Sequence, residues 1–158
     1  MNQSFYFTEI TDGAVKRFYA ENVLRTLPEW FGIEDSLAEY VDTVHDLPFF
    51  AAMLDDICVG FVSGVIHHGL NGEIYVMGVK PDYHGCGIGK KLVSMLETHF
   101  KVQNCAYMMV KTLSPLRTSI HYEQTRHFYA AVGFMDFYTD IAIWGQENPC
   151  LIMLKNLV

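Results

Sequence analysis

The stretch HGCGIGKKL, residues 84–92, sets Gly85, Gly87 and Gly89 at alternate positions ahead of what reads as a helix. Glycine gives up more conformational freedom on folding than any other residue, so this loop must use backbone that side chains would obstruct. Two uses stay open. A tight strand-to-helix turn needs positive φ at one residue and binds nothing. An anion trap, in which successive main-chain N–H groups and a helix dipole face a phosphate, would use all three glycines. The Walker pattern requires glycine where His84 stands and Ser or Thr where Lys91 stands, and the dinucleotide pattern requires glycine at Lys90. Neither is met.

Other chemistry-bearing residues are sparse. The pairs His67-His68 and His121/His127 lack a third ligand at a spacing that would complete a metal site. The cysteines at 58, 86, 105 and 150 show no C-x-x-C spacing, so neither a zinc knuckle nor a disulfide framework is expected, and a reducing cytoplasm is the expected setting. Eleven Lys plus Arg against eighteen Asp plus Glu give a net charge of −7, which opposes generic nucleic-acid binding. It also means that a phosphorylated ligand needs a local trap rather than long-range attraction. No segment reads as a membrane span or an export signal.

The elements that must position the loop follow from periodicity. At 158 residues, without repeats or linkers, the chain is expected to form one domain over 1–158. A short strand over 5–10 precedes a helix capped by Asp12, with Val15, Phe18, Tyr19, Val23 and Leu27 as its stripe and Pro28 as its stop. Ser36 and Glu39 form a capping box for a second helix bearing Leu37, Tyr40, Val41 and Val44. FFAAML, a turn at Asp55-Asp56 and ICVGFVSGVI read as a strand pair. A further strand, EIYVMGV, puts Glu73, Tyr75, Met77 and Val79 on one face and leads into the glycine loop. A helix from Ile88, the strand AYMMVKTL, a helix ending at Gly133, and strands in FMDFYT and CLIMLKNL complete an α/β (α+β) pattern of about seven strands and four helices.

VKPDYHGCGIGKKLVSMLE resembles motif A of the GNAT N-acetyltransferases, a Val-x-Pro-x-Tyr/Phe segment ahead of R/Q-x-x-G-x-G/A, and FYAAVGF resembles their later F-Y-x-x-x-G-F signature. Two separated motifs and the element order agree over nearly the whole chain. The resemblance implies a mixed, mostly antiparallel central sheet and acetyl-CoA as acyl donor, with its pyrophosphate against the amides of Gly85, Cys86, Gly87, Ile88, Gly89 and Lys90. It further implies pantetheine pairing near Met77, Gly78 and Val79, with Gly78 as the site of a strand distortion. His84 stands where relatives carry Arg or Gln.

For catalysis the resemblance implies Tyr129 as the general acid beside the coenzyme sulfur. Tyr122 and Thr125 replace the Asn and Ala that relatives often carry before that tyrosine. Presenting an amine of pKa about 10.4 in its neutral form at pH 7 costs about 4.6 kcal/mol, so a base is useful. Glu73 resembles the basic glutamate of the histone-acetyltransferase branch; a solvated glutamate at a strand end is the other reading. Trp30 and Phe31, beside Glu29, Glu34 and Asp35, either wall an acceptor site or plug the core. The expected activity is direct acetyl transfer to a primary amine without a metal, nucleic acid or membrane; a coenzyme-binding module without catalysis is the alternative. The segment around Trp144 could serve a homodimer interface or the core.

Overall fold

The structure, a computed structural model, describes residues 4–158. Its elements run β1 (Phe5–Glu9), α1 (Gly13–Leu24), α2 (Glu34–Thr43), β2 (Phe49–Leu54), β3 (Ile57–His67), β4 (Asn71–Val79), α3 (Ile88–Val102), β5 (Tyr107–Leu113), α4 (Ile120–Ala131), β6 (Met135–Asp140) and β7 (Cys150–Asn156). Four helices and seven strands appear in the order expected from the sequence. The strands form one mixed sheet in the order β1-β2-β3-β4-β5-β7-β6. The pair β4·β5 is parallel, whereas β1·β2, β2·β3, β5·β7 and β6·β7 are antiparallel. No helix among the described residues is long and apolar enough to cross a membrane.

The chain divides into two compact units, one running to Val65 and including Tyr75–His99, the other combining Ile66–Ile74 with Phe100–Val158. In the first, the two-residue period of β2 separates two layers. Phe49, Ala51 and Met53 join Val23, Leu24 and Leu37 of α1 and α2 in the main apolar cluster, while Phe50 turns its ring toward His99 of α3. Phe49 and Phe61 stack with ring centroids 4.9 Å apart. Asp12 caps α1 as expected, accepting from the Val15 N–H at 3.0 Å.

Of the expected stripe of α1, Val23 and Leu27 are buried and Tyr19 packs against the apolar cluster, but Phe18 is not part of the buried face. Lys16, Ala20, Val23 and Leu24 face inward, and Phe18 is 65% exposed. The reason is Lys16: its stem lies in the core because its Nζ donates to the carbonyls of Leu47 at 2.7 Å and His45 at 3.4 Å. The expected capping box of α2 is also corrected. The helix starts at Glu34, so Ser36 lies inside it, and Ile33 at the cap supplies no side-chain acceptor; Glu34 and Asp35 in the first turn complement the helix dipole instead.

In the second unit, β4 and β5 pair from Asn71↔Tyr107 to Ile74↔Val110, and β7 lies between β5 and β6. Gly72 is the second residue of β4. A Cβ there would lie 2.2 Å from the fully buried ring of Phe100, so glycine makes room for that ring. Ser119 caps α4 by accepting from Tyr122 N–H, and Arg126 fastens the helix to β5 by donating to the Leu113 carbonyl at 2.7 Å.

Candidate functional site

After Val79, one 3-10 turn (Pro81–Tyr83) carries the chain to His84 and the loop. Gly85 has φ +77° and Gly87 φ +80°, the left-handed region in which a side chain is strained. A Cβ on either would meet nothing within 4 Å, so torsion rather than crowding calls for glycine. Gly89 lies in the first turn of α3. The first helical bond there runs from Lys91 N–H to the Gly87 carbonyl at 3.2 Å. The amides of Ile88, Gly89 and Lys90 therefore precede any intrahelical acceptor and sit at the positive end of a fifteen-residue helix. Ile88 is buried and anchors the turn, while Lys90 and Lys91 are exposed beside the open amides.

His84 is tied back to the strand that precedes it. Its Nε2 donates to the Val79 carbonyl at 2.6 Å, and its ring meets the edge of Trp30 with centroids 6.4 Å apart. The Val79 carbonyl is thus already engaged, leaving Met77 and Gly78 as the expected pantetheine positions whose carbonyls this bond does not touch. Gly78 has a packing reason for its identity: a Cβ would lie 2.9 Å from Leu27 Cδ1 and 3.1 Å from Val23 Cγ1. Strand register shifts fall between Ala52 and Met53 and between Asp136 and Tyr138. Cys86 is exposed, with its Sγ 3.9 Å from the His84 carbonyl.

Trp30 and Phe31 are partly buried against the apolar cluster, and Phe31 meets Tyr40 edge-on. Of the neighbouring acids, Glu34 receives both terminal nitrogens of Arg25 at 2.8 and 3.1 Å. Those bonds hold the Glu34 carboxyl below its ordinary range and raise the guanidinium.

Glu73 is not a solvated strand end. It is the third residue of β4 and 5% exposed. Its Oε1 lies 2.7 Å from His67 Nε2 and its Oε2 3.3 Å from Lys111 Nζ. Sequence reasoning missed both partners. The signal for Lys111 was the one charged residue in AYMMVKTL, on the face that the register Glu73↔Met109 shares. His67 ends β3, and the hairpin from His68 to Leu70 returns the chain to Glu73.

Tyr129 is 7% exposed on α4, with Phe128 and Phe134 rings at 5.4 and 5.8 Å. Its carbonyl accepts from Phe134 N–H, closing the helix where Gly133 takes φ +105°. Burial raises the neighbouring Tyr122 hydroxyl, with Arg117 opposing it.

Residues 14–134 match the family described as Acetyltransferase (GNAT). An N-acetyltransferase of Methanocaldococcus jannaschii, itself uncharacterised, is 33% identical over 108 residues, covering 68% of this chain and 65% of that protein. The chain thus matches a little under two thirds of that relative's length. Among solved structures, a Desulfovibrio desulfuricans protein assigned to the GNAT acetyltransferases superposes with TM-score 0.84 at 14% identity, covering 98% of this chain and all of that one. An aminoglycoside 6'-N-acetyltransferase crystallised with coenzyme A superposes with TM-score 0.77 at 21% identity, covering 97% of each chain. With the glycine loop, the strand order and the match over residues 14–134 in agreement, the chain belongs to the GNAT family of acetyltransferases.

Proposed function

We propose that this protein transfers an acetyl group from acetyl-CoA directly to a primary amine in a ternary complex. The observation that carries the reading is the loop from Gly85 to Lys90. Two left-handed glycines present main-chain donors, and the open amides of α3 follow at once, on a chain whose net charge is −7. Such a surface suits a pyrophosphate, which makes phosphate contacts through N–H groups and needs no net positive protein. The aminoglycoside acetyltransferase with the same fold was crystallised with coenzyme A, which supports the same ligand here.

The reaction makes three demands: a neutral amine, a donor for the charge that develops on the thioester oxygen, and a proton for the departing thiolate. In this reading a main-chain N–H near Met77 or Val79 meets the oxygen, Tyr129 supplies the proton, and the cluster around Glu73 handles the proton of the amine. No step calls for a metal.

Calorimetric titration with coenzyme A and a thiol-release assay with acetyl-CoA test the reading together. The assay panel comprises polyamines, aminoglycosides, free amino acids and peptides with a free N-terminus. Binding with amine-dependent release of coenzyme A is expected. Absence of binding would remove the loop assignment; binding without release on any amine would leave a coenzyme-binding module.

A further inference from the structure

We propose that His67, not Glu73, accepts the proton of the acceptor amine, and that Glu73 is the positioning residue that holds the imidazole for this role; the proposal rests on the acetyl-transfer reading above. Both oxygens of Glu73 are already engaged, Oε1 by His67 and Oε2 by Lys111, and the side chain is 7% exposed. A proton arriving on this carboxylate would undo one of those contacts and leave the Lys111 ammonium beside a neutral partner.

The imidazole has what the carboxylate lacks. A carboxylate only accepts, so the 2.7 Å contact places a hydrogen on His67 Nε2, and in the neutral ring the free lone pair is then on Nδ1. Among the described residues Nδ1 has no hydrogen-bond partner, and the side chain is 42% exposed. The backbone at His67 is held by the turn that follows, in which His68 and Gly69 take positive φ and Leu70 N–H donates to the His67 carbonyl at 3.0 Å. A carboxylate behind the ring selects the tautomer and stabilises the imidazolium once it forms, which is the division of labour in a Ser-His-Asp triad.

The charges around the pair favour this division. His67 neutral, Glu73 and Lys111 sum to zero, and protonation makes the group +1. Asp140 lies near enough to influence the buried Cys150 thiol together with Lys111 and Glu73. Burial pushes that thiol up to about 11 and keeps it neutral. His68, the adjacent imidazole, is exposed.

The protons balance. The ammonium form of the acceptor gives one proton to His67 Nδ1. The neutral nitrogen then bonds to the thioester carbon, Tyr129 gives its proton to the sulfur as the C–S bond breaks, and the second nitrogen proton passes through water to the tyrosinate, which restores Tyr129. His67 returns its proton to solvent.

The test uses the full chain with an amine from the panel that the wild type acetylates. His67→Gln, which retains a donor for Glu73, is expected to lower kcat/KM about 10²-fold at neutral pH. It should also remove the ionisation on the acid limb of the pH profile and leave acetyl-CoA binding within twofold. Replacing the alkylamine by an O-alkylhydroxylamine, whose nitrogen is already neutral at pH 7, should recover most of the loss. Glu73→Gln should shift the acid limb rather than remove it. Ring nitrogen NMR reads the pair without turnover: Nε2–H in the wild type, mixed tautomers in Glu73→Gln.

A wild-type Nδ1–H tautomer would overturn the proposal. So would His67→Gln activity within threefold of wild type with an unchanged acid limb while Glu73→Gln abolishes transfer, since Glu73 would then be the base and the transfer reading would stand. If the wild type binds acetyl-CoA and acetylates no amine, the transfer reading falls and takes the proton-acceptor role with it.

Discussion

Tyr129→Phe removes one oxygen from a ring already packed between Phe128 and Phe134, so it separates proton donation from packing. Acetyl transfer should fall about 10²-fold with coenzyme affinity nearly unchanged, read as kcat against the Kd for coenzyme A. His84→Arg tests the other end of the site. A guanidinium is long enough to reach the Val79 carbonyl and Trp30, which the imidazole meets edge-on, and adds a charge near the proposed phosphates. Coenzyme affinity should be kept or improved; a loss beyond tenfold would mean that the Nε2 bond to Val79 sets the loop. At this scale the sequence disclosed residues whose identity is unusual for their place. Gly85 and Gly87 stood out because three glycines in one loop suggested close main-chain approach, although the structure gives torsion rather than crowding as the reason for them, and Tyr129 because a motif surrounds it. His67 and Lys111 stayed hidden, since their meaning comes from strand pairing and not from spacing.

Glycines divide by element, and two substitutions expose the division. Gly87→Ala forces a side chain into φ +80° with open space around it, a strain of about 1 kcal/mol confined to the loop. Coenzyme A binding should weaken about tenfold while the unfolding midpoint moves little. Gly72→Ala drives a methyl into the Phe100 ring and should cost about 3 kcal/mol, seen as a lower denaturation midpoint. Element existence was legible because the hydrophobic period changes sharply at Phe49 and because Pro and Gly punctuate the chain. The phase of α1 was not. Period alone cannot tell which aromatic residues face solvent, and Lys16 reads as a surface residue until the carbonyls of His45 and Leu47 are placed before it. The start of α2 was misread for a related reason: a helix can begin on acidic residues that answer its dipole, without the side-chain cap that Ser36 advertised.

Across the whole chain, exposure and charge decide what reagents can reach. Cys58, Cys105 and Cys150 are buried, and burial raises each thiol, Cys58 and Cys150 to about 11. Cys86 is exposed on the glycine loop. Intact-mass measurement after mild alkylation should therefore find one adduct on the folded chain and four after denaturation. Saturating coenzyme A should suppress the first if the loop holds its phosphates. The spacing of the four cysteines gave no sign of which one is reachable.

The position of β7 between β5 and β6 carries a consequence for refolding. β6 pairs only with β7, and Met135, Phe137 and Tyr138 stay exposed even after that pairing. In a chain whose residues 150–156 have not yet docked, β6 therefore has no sheet neighbour, and an intermediate of that kind is where separate molecules would associate edge to edge.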